Sequence, residues 1–197
     1  MGKLQENKRR NKASILSAAF KLFASKGYEA TTISDIVKGS ELARGTFYNY
    51  FQDKDEIWDH IVKEFLERVN LRLIEERRNA RDIYEFTYNA FMGYALILKE
   101  EQMLDLLITN QAIFRRTIFS SGLLNSIYRN LEEDLAQSTF YEGLTPNQIQ
   151  LTSYSMVGTA IELIFQTYSK DNSLPIEDIG TYFTDLFIGG YERMKSG

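Results

Sequence analysis

The chain has no cysteine, which removes disulfide frameworks and thiolate metal sites from consideration. Histidine occurs once, as His60, and one histidine cannot furnish a two-histidine metal site. Proline occurs only at 146 and 175, and both positions suit the start of a helix rather than its interior. Beta-branched alternation and Asn-Gly hairpin signals are missing, which argues against strands. No apolar run is long: Ala90 to Leu98, about nine residues, is less than half of a membrane span. The basic residues Lys3, Lys8, Arg9, Arg10 and Lys12 precede no apolar segment of signal-peptide length. No phosphate-cradling glycine loop and no catalytic constellation is present. These absences predict a soluble cytoplasmic protein that is not an enzyme, needs no cofactor or metal and does not enter a membrane.

What is present is a core-forming composition with uneven charge. Hydrophobic residues make up 44% of the 197 and charged residues 25%, enough for a packed core under an ordinary soluble surface. The net charge is −4, but residues 1–54 hold ten Lys and Arg against five Asp and Glu, a net +5. Residues 55–197 hold thirteen against twenty-two, a net −9. Screening confines fields to about 8–10 Å at cellular salt, so a polyanion meets the local sign and not the overall one. The pattern is that of a basic module carried by an acidic body.

Apolar residues recur with helical period throughout, predicting an all-α chain of about nine helices. The first covers about 7–26, with Ile15, Ala18, Ala19, Leu22 and Phe23 on one stripe and Gly27 as its stop. Thr32 and Asp35 form a capping-box variant for a short helix from Ile33 to about Gly39. After a tight break, a second short helix carries Arg44 to Phe51. Asp53 and Glu56 cap a connecting helix over 54–77. Further helices are expected at 82–99, 101–114, 116–140, 146–169 and from Pro175 to about 195, with Thr145 and Gln148 capping the penultimate one.

Two short helices joined by a tight turn, with a third packed across them, make a helix-turn-helix, here with a reading motif at about 32–51. Phe47, Tyr50 and Phe51 share the face that anchors the second helix. Arg44, Gly45, Thr46, Tyr48 and Asn49 are left for the outer face and N-terminal end. Arg44 can fork onto a guanine edge or a phosphate, and Thr46 can meet a thymine methyl or an acceptor. Gly45 lets backbone approach the nucleic acid, and the Tyr48 phenol has the reach for phosphate. Thr32 and Lys54 stand at two helix N-termini, where backbone N–H groups favour an anion.

The run Gly27-Tyr28-Glu29-Ala30-Thr31-Thr32-Ile33-Ser34-Asp35-Ile36, followed by Arg44-Gly45-Thr46-Phe47-Tyr48-Asn49-Tyr50-Phe51 and Asp53-Lys54, resembles the N-terminal domain of TetR-family transcriptional regulators over roughly residues 10–60. The resemblance implies operator binding at these positions, a homodimer formed by the last two helices, and a larger helical domain holding a small-molecule pocket whose occupancy releases DNA. The chain departs from the family pattern at Glu41, where many members have glycine, and at Ala43, where many have Ser or Thr. Ala43 offers no capping side chain, leaving Ser40 or the turn backbone to substitute.

The resulting organisation is a DNA-binding domain at 1–54 and an effector-binding and dimerisation domain at 55–197. Candidate dimer residues are Val157, Ala160, Ile161 and Ile164 on the penultimate helix and Ile179, Phe183, Leu186 and Phe187 on the last. Gly158, Gly189 and Gly190 permit close helix approach. The body's many aromatics suit a cavity for an apolar or aromatic effector, with Tyr88, Phe91, Phe114, Tyr128, Tyr154 and Phe165 as candidate lining residues and Glu162 as a candidate partner for a cationic ligand. The expected function is a dimeric repressor released from a palindromic operator by a small molecule. The alternative is a DNA-bound scaffold that recruits a protein partner without an effector.

Overall fold

A computed structural model describes residues 2–168 and 174–196. Among these the chain is helical, with ten α-helices and one 3-10 turn. The helices are α1 (Lys3–Lys26), α2 (Ile33–Ser40), α3 (Arg44–Tyr48), α4 (Lys54–Arg78), α5 (Ile83–Glu100), α6 (Met103–Thr109), α7 (Gln111–Ser120), α8 (Asn125–Gln137), α9 (Pro146–Tyr168) and α10 (Ile176–Ser196); the 3-10 turn is Thr139–Tyr141. None of these helices is long and apolar enough to cross a membrane. The expected helix over 101–114 is in fact α6 and α7, broken at Asn110, whose backbone (φ −120°, ψ 31°) leaves the helical region. The expected helix over 116–140 is likewise divided, by Gly122 at φ +69°. The expected end of α9 at residue 169 lies outside the described residues.

Packing groups the chain into two compact units, one of residues up to 65 with 102–121, the other of 66–101 with residues from 122 onward. A boundary at 54/55 divides the chain by expected role, whereas packing draws α6 and α7 into the first unit. One side chain contributes several of the ties. Asn110, buried, donates through Nδ2 to the carbonyls of Phe23 (2.9 Å) and Leu106 (2.7 Å). Its Oδ1 accepts the Tyr28 backbone N–H at 2.5 Å. It thus ties α6 to the C-terminal end of α1 and to the turn beyond it.

In the first unit α1 buries Ile15, Ala18, Ala19 and Phe23. Gly27 ends it at φ +86°, and its N–H bonds the Phe23 carbonyl. The approach of α2 is close: a Cβ on Gly39 would stand 3.3 Å from Ala18 Cβ. Ser14 Oγ also donates to the Ser40 carbonyl at 2.9 Å. The Trp58 ring packs edge-on against Phe23 and Tyr28 and donates its Nε1–H to Thr117 Oγ1 at 3.0 Å.

In the second unit α10 lies against α5 so closely that a Cβ on Gly180 would meet Met92 Sδ and Tyr88 Cε2, each at 3.0 Å. Phe91 and Phe183 pack ring to ring at 4.8 Å. The buried Tyr141 hydroxyl sits 2.8 Å from Thr87 Oγ1, which itself donates to the Ile83 carbonyl. Arg68 forks onto Glu101 with two hydrogen bonds of 2.7 Å.

Candidate nucleic-acid interface

The short helix α3 is held from below. Phe47 and Phe51 are buried, and Tyr50 is half-buried. Arg44, Gly45, Tyr48 and Asn49 are exposed, and Thr46 is intermediate. Tyr48 keeps 47% of its surface in solvent although its ring packs edge-on against Phe47 at 5.3 Å. The Arg44 guanidinium lies 6.0 Å from the Tyr48 ring centroid, near the outer limit for a cation–π contact. Nothing stands within 4 Å of where a Gly45 Cβ would be. One side of the helix is therefore rigidly anchored, and the other offers a guanidinium, a phenol, an amide and bare backbone on the same open surface.

The turn before α3 departs from ideality as its residues suggest. Glu41 occupies the left-handed region at φ 58°, ψ 21°, a conformation that costs an L-residue about 1–2 kcal/mol and that glycine adopts freely. Ala43 gives no side-chain cap to α3. The Ser40 hydroxyl donates to the Val37 carbonyl at 3.0 Å. The N–H groups of Thr46 and Phe47 bond the Ala43 carbonyl instead, at 2.9 and 3.2 Å.

Thr32 and Asp35 form a full capping box at the start of α2. Asp35 N–H donates to Thr32 Oγ1 at 3.2 Å, and Thr32 N–H donates to Asp35 Oδ2 at 2.9 Å. Lys26 Nζ adds a bond to the same carboxylate oxygen at 2.7 Å. The Lys26 bond, then those from Thr32, hold the Asp35 carboxyl well below the usual carboxylate range. The Thr32 hydroxyl is thus already engaged. Lys54 is engaged as well: its ammonium donates to the carbonyls of Tyr28 (2.9 Å) and Thr31 (3.2 Å) and lies 4.2 Å from the Tyr28 ring centroid. Its charge serves the turn between α1 and α2.

The candidate effector residues are divided between the two units. Phe114 belongs to the first unit, and Tyr88, Phe91, Tyr128, Tyr154, Glu162 and Phe165 belong to the second. Phe91, Phe114 and Phe165 are buried in the core. Tyr128 and Tyr154 pack edge-on at 4.8 Å; burial, then Tyr154, pushes the Tyr128 phenol up. Glu162 is half-buried and accepts from Gln166 Nε2 at 2.6 Å. A cavity of about 260 Å³ opens elsewhere in the second unit, beside Arg77 and Asp134.

Of the candidate dimer residues, Ile161, Ile164, Ile179 and Phe183 are buried within the chain itself, and Val157, Ala160 and Phe187 are half-buried. The apolar period therefore marks mainly the core face of each helix. What α10 leaves open is Tyr182, Leu186, Gly189, Gly190 and Met194, and what α9 leaves open includes Leu151 and Tyr154. Of these, Leu186 is a candidate dimer residue, and Gly189 and Gly190 are the glycines expected to permit close approach. Nothing lies within 4 Å of a Cβ built on Gly158, Gly189 or Gly190. The spacing 182, 186, 189–190 is the signal that the sequence held for this second stripe.

Residues 15–61 match the family model described as bacterial regulatory proteins, tetR family. The HTH-type transcriptional regulator YhgD of Bacillus subtilis is 25% identical, over 84% of this chain and 88% of its own. The fatty acid metabolism regulator protein of Bacillus subtilis is 24% identical, over 94% and 97%. The crystal structure of the transcriptional regulator FadR from Bacillus subtilis in complex with stearoyl-CoA superposes with a TM-score of 0.74 at 20% identity, covering 90% of this chain and 98% of that one. The capping box, the tight turn and the anchored α3 all lie inside the segment that matches the tetR-family model.

Proposed function

We propose that this protein is a homodimeric repressor that reads a palindromic operator with α3 and is released by a small, apolar or aromatic ligand bound in its second unit. The observation that carries the reading is the division of α3 into a buried anchor, Phe47 and Phe51, and an open strip of Arg44, Gly45, Tyr48 and Asn49. A strip of that chemistry suits base edges and phosphates in a major groove. A single five-residue helix touches few base pairs, and a two-fold dimer doubles the footprint. The open apolar stripe and uncrowded glycines of α10 support such a dimer.

Helix α4 supplies the route for ligand control, since residues 54–65 belong to the first unit and 66–78 to the second. A ligand that favours one position of the second half biases the first. It does so only by binding the non-DNA state better, and about 1–3 kcal/mol of difference suffices. The related Bacillus subtilis structure holds stearoyl-CoA, which makes long-chain acyl-CoA the first ligand to try.

Selection of bound duplexes from a random pool tests the reading. The expected result is an inverted repeat, with Arg44→Ala weakening binding and flattening base preference and Tyr48→Phe weakening all duplexes alike. Equal loss from both substitutions on every duplex overturns the division of roles, and no enrichment at low salt overturns the reading itself.

A further inference from the structure

Arg77 and Arg68 stand on the same helix and meet carboxylates in unlike ways. Arg68 engages Glu101 side-on, with Nε and Nη2 each 2.7 Å from one carboxylate oxygen. Arg77 presents the same edge, but only its Nε is used, donating to Asp134 Oδ2 at 2.6 Å. Arg77 Nη2 is buried and has no hydrogen-bond partner among the described residues. The residue is 5% exposed, so bulk water does not complete the fork. A buried cationic donor without an acceptor is unfavourable, and native structures rarely keep one unless something else fills the place.

The surroundings indicate what would fill it. Arg77, Arg78 and Asp134 line the cavity of about 260 Å³, two basic residues and one acidic. Phe86 and Phe140 line the same cavity and pack edge-on at 6.3 Å, giving it an apolar wall. Thr139 adds a hydroxyl. Half of the lining suits an anion with a planar or tetrahedral set of oxygens, and half suits carbon. None of these residues belongs to the aromatic set that the sequence singles out for an effector.

We propose that this cavity binds a small organic oxyanion, a carboxylate or phosphate carried on an apolar body. The oxyanion pairs with Arg77 and Arg78, and the body lies against Phe86 and Phe140. Asp134 holds the Arg77 plane through Nε, and a pre-oriented guanidinium gains selectivity for oxyanions. The inference rests on the reading of the second unit as effector-binding, and it names the chemical class of the ligand.

The test is calorimetry on the full chain without DNA, so that failure here leaves the operator reading to its own experiment. Probes are 3-phenylpropanoate and phenyl phosphate, with 3-phenylpropanamide and inorganic phosphate as controls. The expected result is binding of at least one organic oxyanion about tenfold or more tighter than either control, the tighter of the two identifying the oxyanion. Arg78→Gln and the paired substitution Arg77→Met with Asp134→Leu, which exchanges a buried ion pair for apolar volume, are each expected to weaken that probe about tenfold with unchanged circular dichroism. Should the paired variant not fold, Arg78→Gln decides alone. Equal binding of the amide, equal binding of inorganic phosphate, no binding at millimolar concentration, or unchanged affinity in Arg78→Gln overturns the proposal.

Discussion

Lys54 and Tyr28 are joined twice over: the Lys54 ammonium donates to the Tyr28 carbonyl at 2.9 Å and lies 4.2 Å above the same residue's ring. The Tyr28 hydroxyl in turn donates to Asp55, beside Lys54 on α4. A cation at the first residue of α4 therefore closes the turn between α1 and α2 from outside. Its substitution is expected to act on DNA binding through the shape of the head and not through lost charge. Lys54→Gln is expected to cost about 1–2 kcal/mol of stability in urea unfolding. It should lower DNA affinity without changing the salt slope, whereas losing a phosphate contact reduces that slope by about 0.9. A slope change of that size in Lys54→Gln would assign the ammonium to phosphate.

Asn110 offers the corresponding test for the inner side of the same turn. Its side chain satisfies one N–H and two carbonyls in a buried setting. Asn110→Ala removes the bonds to the Tyr28 N–H and the Leu106 carbonyl and one of the two donors to the Phe23 carbonyl, at an expected cost of about 2–4 kcal/mol. Trp58, the only tryptophan, sits in the first unit against Phe23 and Tyr28, so its fluorescence follows that unit's unfolding. An unchanged urea midpoint by Trp58 emission would show that the Asn110 bonds contribute nothing net.

These two residues also mark where reading the sequence succeeds and where it stops. The caps at Thr32, Asp53 and Thr145 are local, formed with residues three positions on, and each is present. The burial of Phe47 and Phe51 follows from helical period in the same way. Glu41 and Ala43 stand out against the family pattern, and the backbone around them bears the cost. Asn110 looks like any polar residue inside an apolar run, because its partners lie 82 and 87 positions away. Lys54 reads as a free surface cation until the carbonyls 23 and 26 positions earlier are brought beneath it. On α9 and α10 the period locates apolar faces, but it does not say which face meets its own chain. Arg77 is hidden for a related reason: in sequence it belongs to the charged run 75–78, and only the fold buries it against Asp134.

Asp35 sets a pH dependence whose sign follows from its surroundings. Hydrogen bonds from Lys26, then Thr32, hold its folded-state carboxyl well below the ordinary value. A carboxyl depressed in the folded state contributes stability that is full above the unfolded-state value, about 3.9, and is lost as pH falls through the folded one. Wild-type protein should therefore lose stability more steeply than Asp35→Asn below about pH 4, with the two converging in strong acid. Urea midpoints read by Trp58 emission measure this, and parallel curves would mean that the carboxylate is not coupled to folding.

The open face of α10 yields the sharpest expectation about assembly. Tyr182, Leu186, Gly189 and Gly190 follow one another at helical spacing, and the first two are 61% and 48% exposed in the isolated chain. The glycines matter as much as the side chains, because nothing approaches the place of a Cβ at either one. A second helix can then lie close, and dispersion between backbones adds to the apolar area covered. Gly189→Arg puts a long charged side chain into that space, and Leu186→Glu puts a carboxylate where apolar surface would be buried. Each is expected to weaken self-association about a hundredfold or more in analytical ultracentrifugation. Leu71→Glu is the control, since Leu71 is a still more exposed leucine on a different helix, α4. Cooperative binding to an inverted repeat should fall in step with the dimer, while binding to a single half-site stays as it was. A wild-type chain that sediments as a monomer at micromolar concentration, or a control that dissociates as readily as Gly189→Arg, would remove α10 from the interface.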